Sequence, residues 1–235
     1  MTKEKRNHRS GHYLRMEPES IEALTKDKSV EEAFKKEGCW RFCEKLQGGH
    51  NQVTKEFSIN FTGSNTKVGF LNLPISPEII SLVTKIPRGE ERWFKNFRFE
   101  MEPCKIFLKP EFVDTDLTKA VPRGYVKDTY DNLLSNIQRY FTYEGRYHKV
   151  YSYHFKLLLH FTGIISLDLP FFLFRSLAKM TDKVQMKTQA CETSLFHHGL
   201  VKLIVLHELQ RVNRECSAFF FLWIWGGNIW NSCKP

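Results

Sequence analysis

Residues 193–213 read TSLFHHGLVKLIVLHELQRVN, and this stretch decides the fold class. Positions 200–206 are apolar everywhere except at Lys202, so a helix formed here has no polar face to turn towards water. Thr193 and Ser194 can cap its start. We therefore expect a long helix over this stretch, buried at the centre of a helical bundle.

Three more helices are predicted upstream of this one. An apolar stripe at helical spacing predicts the first, and it consists of Val126, Tyr130, Leu133, Leu134, Ile137 and Phe141. The second runs from about Tyr147 to Phe161 and ends at Gly163. The third follows Asp168, which serves as N-cap, and continues to about Lys183. Together these helices form a predicted bundle over residues 121–213.

A β-hairpin is predicted near residues 56–73. Phe57, Ile59 and Phe61 alternate with polar neighbours, which is the pattern of a half-buried strand. The cluster Thr62-Gly63-Ser64-Asn65 has the composition of a turn, and apolar residues resume after it.

Shorter elements surround the hairpin. Ser29-x-x-Glu32 is a capping box that predicts a helix start. Ser76-Pro77 predicts a second short helix that continues to about Thr84, with serine at the N-cap and proline in the first turn. Residues 88–122 combine prolines with aromatic residues and predict short elements and loops.

The predicted fold class is α+β and mainly α, with a C-terminal helical bundle and a small N-terminal β-hairpin. One domain at residues 29–213 holds both. Residues 1–28 are expected to form a disordered basic tail, and residues 214–235 an apolar tail. No stretch is long and apolar enough to span a bilayer. The polar start Met1–Arg15 lacks the apolar core of a signal peptide, which predicts an intracellular protein, in nucleus or cytoplasm, with reduced thiols.

Six of the nine histidines lie within residues 148–207, which invites a metalloenzyme interpretation. His148, His154 and His160 are six residues apart, so on one helix they point to three faces. The pair at 197 and 198 is adjacent and cannot chelate from one helix face. We therefore expect no histidine metal site, and we expect His154 to be a hydrogen-bonded core residue.

Two other patterns resemble metal sites and are incomplete. Cys39-x-x-x-Cys43 with His50 offers three zinc ligands and lacks a fourth, so buried reduced thiols are the favoured interpretation. His207-Glu208 begins like the zinc-protease motif, but Arg211 stands where the second histidine is required. No catalytic residue, metal ion or cofactor is assigned from the sequence.

A divergent metal-dependent nuclease or transposase is the enzymatic alternative. It needs three converging carboxylates, drawn from Asp114, Asp116, Asp128, Asp131, Asp168 and Asp182. Asp128 and Asp131 fall on the exposed side of their predicted helix and Asp168 is expected to cap another, which argues against such a site.

The net charge of +9 and the pI of about 9.2 permit nucleic acid as a partner without requiring it. Two blocks, residues 92–98 and 139–153, interleave aromatic rings with cations, so exposed rings could stack on bases while the cations hold phosphates. Core rings flanked by solvated charges are the favoured interpretation of each block. The predicted nucleic-acid contacts are Arg92, Lys95, Arg98, Arg139, Arg146 and Lys149.

Several phrases occur together in this chain, among them Ile86-Pro87, Gly89-Glu90-x-Arg92-Trp93-Phe94-Lys95, Tyr153-His154-Phe155-Lys156-Leu157-Leu158 and Leu195-Phe196-His197-His198-Gly199-Leu200. Over roughly residues 38–213 the chain resembles a group of plant transposon or retrotransposon proteins. The resemblance implies an origin in a transposable element and assigns no catalytic residue. By analogy it suggests a non-enzymatic protein that assembles with itself or contacts nucleic acid. Because the apolar run Phe219–Trp225 departs from the group's pattern, a truncated copy without retained activity is a further alternative.

Overall fold

The structure, a computed structural model, describes residues 27–46, 51–94, 99–142, 148–186 and 195–212. These residues are mainly helical with two small antiparallel sheets, which confirms the predicted mainly α, α+β class. The helices are α1 Lys28–Lys36, α2 Trp40–Lys45, α3 Asn51–Ile59, α4 Pro77–Thr84, α5 Asp131–Tyr140, α6 Ser152–Phe161, α7 Leu169–Met186 and α8 Leu195–Val212. The strands are β1 Asn65–Val68, β2 Leu71–Pro74, β3 Val121–Pro122 and β4 Lys149–Val150.

Short side chains cap two of the N-terminal helices. Asp27, rather than the predicted Ser29, is the N-cap of α1, and its carboxylate accepts the Ser29 N–H at 3.0 Å. The hydroxyl that was predicted to cap the helix donates instead to the same carboxylate, at 2.6 Å. Ser76 caps α4 as predicted, because its hydroxyl accepts the Ile79 N–H at 3.3 Å with Pro77 in the first turn.

The predicted hairpin exists, but its first strand was misplaced. Phe57 and Ile59 belong to helix α3, and the strands are β1 and β2, joined through Gly69 and Phe70. Helical spacing prevails because Phe57 and Phe61 are four residues apart, and both side chains are buried. The predicted turn cluster leads into β1, of which Asn65 is the first residue, instead of dividing the hairpin.

A second sheet of two residues in each strand was not predicted. Val121 pairs with Val150 and Pro122 with Lys149, so the chain is extended just before α6. The helix predicted from residue 147 therefore begins at Ser152. The helix predicted from residue 126 begins at Asp131, after 3₁₀ turns that include residues 123–125 and 128–130. Further 3₁₀ turns at 102–107 and 110–112 confirm short elements in the 88–122 region.

Helix α6 is the most enclosed helix of the part that the structure describes. Every residue from Tyr153 to Phe161 is buried, including Lys156 and both histidines. Helix α8 packs against α3, α4, α5 and β2 and buries Leu200, Val201 and its next apolar turns. Leu203 is partly exposed, so this helix is central, but it is not buried on every side as predicted.

Helices α7 and α8 pack most extensively against α3 and α4 of the N-terminal half, so the bundle draws on both halves of the chain. The predicted tails, except for residues 27 and 28, lie outside the described residues, as does the 219–225 run. Within the ranges given above, no helix combines the length and the apolarity that a membrane crossing requires.

Candidate functional site

An extended segment, residues 86–94, lies against the start of α7. Glu91 forms a parallel bridge with Leu167: its N–H donates to the Ser166 carbonyl at 2.9 Å, and its carbonyl accepts the Asp168 N–H at 2.8 Å. The two backbones touch at Gly89, where an added Cβ would lie 2.1 Å from the Leu167 carbonyl oxygen. Gly89 is therefore present because no side chain fits between the backbones.

A buried carboxylate fastens this segment to α7. Asp168 is 1% exposed, and both of its oxygens accept from the Arg88 Nε at 2.9 Å, while Nη2 of the same arginine lies 2.5 Å from Oδ2. Asp168 also caps α7, as predicted, because Oδ1 accepts the Phe171 N–H at 3.2 Å. The pair thus joins a helix cap to a charge-assisted, forked hydrogen bond.

Glu78 extends this ion pair to α4. Its carboxylate accepts from Nη1 of Arg88, and that bond lowers the pKa of Glu78 to about 2. The hydrogen bonds that Arg88 donates to Asp168 are the largest cause of the raised pKa of Arg88. The guanidinium therefore stays charged and connects the first turns of α4 and α7.

A second ion pair links residues 86–94 to α6. Lys156 of α6 is nearly buried, and its Nζ donates to Glu91 Oε1 at 2.9 Å while lying 5.8 Å from the centre of the Trp93 ring. The nearby Cys104 thiol is buried, and burial raises its pKa to about 12. A thiol held in this way stays protonated, so it is a weak nucleophile.

The rings of the two predicted aromatic and basic blocks are core residues wherever the structure describes them, apart from the half-buried Tyr151. Trp93 and Phe94 are each 3% exposed, and Phe94 packs against Phe172 with 5.5 Å between ring centres. Tyr140, Phe141 and Tyr153 are also buried. The hypothesis that exposed rings stack on bases is therefore wrong for these five rings, and the favoured alternative of core rings is confirmed for them.

Arg92 is exposed, unlike the rings beside it. Its side chain is 67% accessible, and its Nε lies 3.9 Å from Asp168 Oδ2, a loose contact beside the Arg88 pair. The predicted contacts Lys95, Arg98 and Arg146 lie outside the described residues.

The structure adds two cations that the sequence interpretation missed. Arg175 and Lys179 are exposed on α7, one turn apart, and the Arg175 guanidinium lies 5.6 Å from the centre of the Phe94 ring. Helical geometry places positions 168, 175 and 179 within a sector of about 40°. Arg92, Arg175 and Lys179 therefore follow one side of α7, and we call these three residues the basic row. Asp182, also exposed, follows on the next turn.

Arg139 and Lys149 form a separate basic pair. The Gln138 side chain donates to the Lys149 carbonyl at 2.9 Å and holds β4 against the last turn of α5. Both cations are half-buried, and the Arg139 guanidinium lies 5.9 Å from the centre of the Tyr140 ring.

No three histidine, cysteine or acidic side chains converge on a metal-sized site within the described residues. Cys39 and Cys43 are buried, and burial raises the pKa of both thiols, while His50 lies outside the described residues. Glu208 accepts a forked bond from Arg211, at 2.9 and 3.0 Å from Nε. The described residues therefore provide no set of metal ligands for the nuclease alternative.

The helical histidines have structural contacts. His154 is buried, and its Nδ1 accepts the Tyr151 N–H at 3.0 Å, which confirms the predicted core role. His160 accepts the Leu167 N–H at its Nδ1, at 3.1 Å, and its Nε2 lies 3.4 Å from Glu37 Oε2. Because Nδ1 accepts, the proton of neutral His160 is on Nε2. His148 precedes β4 instead of sharing a helix with the other two.

Acid should destabilise the fold through His160. Burial lowers its pKa to about 4 from 6.5, so the folded state resists a proton that the unfolded chain accepts. The stability supplied by neutral His160 is complete above pH 6.5 and is lost as the pH falls towards 4. Between about pH 7.5 and 5 we expect a loss of about 2 kcal/mol, measured by urea unfolding.

A matched pair of variants isolates this titration. In His160→Asn the amide oxygen can accept the Leu167 N–H without titrating, so its stability should vary less with pH. His148→Asn, at an exposed position, should keep the wild-type profile. Glu37, whose pKa is raised by burial, acts in the opposite direction and remains in both variants. Equal pH profiles for His160→Asn and the wild type would contradict the assignment.

Comparisons of the chain with protein-family models, with curated proteins and with solved structures find no match.

Proposed function

We propose that the chain is a non-enzymatic protein of transposable-element origin that contacts nucleic-acid phosphates through the basic row. One observation carries the proposal: Arg92, Arg175 and Lys179 are exposed along one side of α7, while the rings beside them are buried. The network of Arg88 and Asp168 fixes the backbone beneath Arg92.

Phosphate contact suits this arrangement for two physical reasons. Guanidinium groups bind phosphate oxygens through charge-assisted, forked hydrogen bonds, and a lysine adds a point charge. Helix α7 and the docked segment 86–94 fix the backbones that carry the three cations before binding, so less backbone freedom is lost on association. Contacts to phosphates position a protein without reading the base sequence.

The other predicted contacts extend the proposal. Arg139 and Lys149 are half-buried and would reach phosphates only with their outer atoms. Lys95, Arg98 and Arg146 remain predicted contacts from their place in the two sequence blocks. We expect Arg139 and Lys149 to contribute less to binding than the basic row does. Lys95, Arg98 and Arg146 are not ranked.

Binding to mixed-sequence DNA should weaken as salt rises. Three phosphate contacts predict about a 40-fold loss of affinity between about 50 and 200 mM salt, measured by fluorescence anisotropy. The triple variant Arg92→Gln, Arg175→Gln, Lys179→Gln should lose this salt-dependent component, because each lost contact lowers the salt slope by about 1.

The matched control removes the same charge elsewhere. Arg41→Gln, Lys45→Gln and Lys67→Gln also replace three exposed cations, so net charge alone would affect both triple variants equally. If DNA affinity falls in the first triple variant and not in the control, and the melting temperature of that variant is unchanged, the basic row is supported. Equal loss in both would assign binding to overall charge, and no binding at low salt would contradict the proposal. Light scattering on the same samples tests the predicted self-association.

A further inference from the structure

We infer that the basic row takes the phosphate backbone of a double-stranded nucleic acid in preference to unpaired bases, an inference that rests on the proposed function. Proteins that hold single strands combine a basic groove with exposed rings on which the bases stack. The charge of the row is present here, but among the described residues the rings that stand beside it are buried or only partly exposed.

Other aromatic rings and cationic side chains pack against Trp93 and Phe94, the rings next to Arg92. Phe94 contacts Phe172 and lies under the Arg175 guanidinium, with distances of 5.5 Å between ring centres and 5.6 Å from the guanidinium to the ring centre. Trp93 packs near Phe99, at 6.4 Å, and near the Lys156 amine, at 5.8 Å. Opening either ring to a base would remove it from the core, which is unfavourable because a buried aromatic side chain stabilises the fold through its packing.

The rings on α7 itself offer little more. Phe171 and Phe174 are only partly exposed and pack against the hydrophobic core. Phe172 is 1% exposed. Their packing against the core therefore leaves less ring surface for a base, whereas stacking requires an open ring face.

The dimensions of the row agree with a regular phosphate array. From position 168, where Arg92 reaches the helix, to position 179 the axis of α7 rises about 16 Å. A duplex of B-DNA places its charges at about one per 1.7 Å of axis, so this length faces about five base pairs. A duplex presents these phosphates in a fixed arrangement, whereas a single strand must first lose conformational freedom.

A direct comparison of strand states tests the inference. Anisotropy titrations of the full chain would use one labelled mixed-sequence DNA strand, alone and annealed to its complement. We expect tighter binding of the duplex, with about a 40-fold affinity loss between about 50 and 200 mM salt against about 20-fold for the single strand. The Arg92, Arg175 and Lys179 triple variant should remove the preference, while the Arg41, Lys45 and Lys67 control should keep it.

The outcomes separate the inference from the proposed function. Equal or tighter binding of the single strand through the same three cations would overturn the duplex preference and leave phosphate contact in place. A preference that survives in the triple variant would also overturn it, because another surface would then select the duplex. Binding of neither form would refute the proposed function itself, and the inference with it.

Discussion

Gly89→Ala should destabilise the fold by at least about 4 kcal/mol, the range of exceptional single substitutions. The added Cβ would lie 2.1 Å from the Leu167 carbonyl oxygen, 2.5 Å from its carbon and 2.8 Å from the Asp168 nitrogen. All three are backbone atoms, so no side-chain rotation can relieve the clash. The segment must move away from α7, which breaks the Glu91 bridge and weakens the Arg88 ion pair.

Thermal unfolding measures this effect directly. For a domain of this size, about 4 kcal/mol corresponds to a lower melting temperature by about 8–16 °C. Gly124→Ala is the matched control, because an added Cβ at that position meets nothing within 4 Å. A melting temperature of Gly89→Ala close to that of Gly124→Ala would show that the segment does not dock as described.

Asp168→Ala should be the next most damaging change, at about 3–5 kcal/mol. It removes the carboxylate that accepts the hydrogen bonds from Nε and Nη2 of Arg88, and it removes the cap of α7. Because the Arg88 side chain is 27% exposed and keeps Glu78 as a partner, its charge remains partly compensated, which favours the lower end of the range. Urea unfolding of the purified variant measures the loss.

A double-mutant cycle separates the ion pair from the cap. If the pair is coupled, Arg88→Met and Asp168→Ala together should cost less than the sum of the single losses, by at least about 1 kcal/mol. Asp168→Asn keeps an oxygen for the Phe171 N–H and should lose less than alanine. Asp128→Ala removes an exposed partner of Lys109 and should change stability by about 0–1 kcal/mol. If the double variant lost as much stability as the Arg88→Met and Asp168→Ala losses added together, the two residues would not be coupled and the ion pair would be contradicted.

The helices of the C-terminal half were predictable because their signals are local. The cap at Asp168 predicted the start of α7, and Leu195–Val212 lies within two residues of the predicted helix. The first strand of the hairpin was misplaced because Phe57 and Phe61 fit both an alternating and a helical pattern over a short window. Packing against the rest of the chain decides between them.

The candidate site was predictable only in part, since long-range contacts assemble it. Arg92 was identified from its block, but the burial of Trp93 depends on α6, which is distant in sequence. Arg175 and Lys179 were not predicted because they lie outside the two blocks that interleave cations with rings. Their spacing of four residues on a predicted helix is the signal that would have identified them.

The 80 residues that separate Arg88 from Asp168 have a consequence for synthesis of the chain. Translation at about 5–20 residues per second leaves an interval of about 4–16 s between the two ends of this ion pair. Throughout that interval Trp93 and Phe94 have no α7 to cover them. We therefore expect this part of the nascent chain to expose apolar surface during that interval, and its packing can be completed only after α7 emerges.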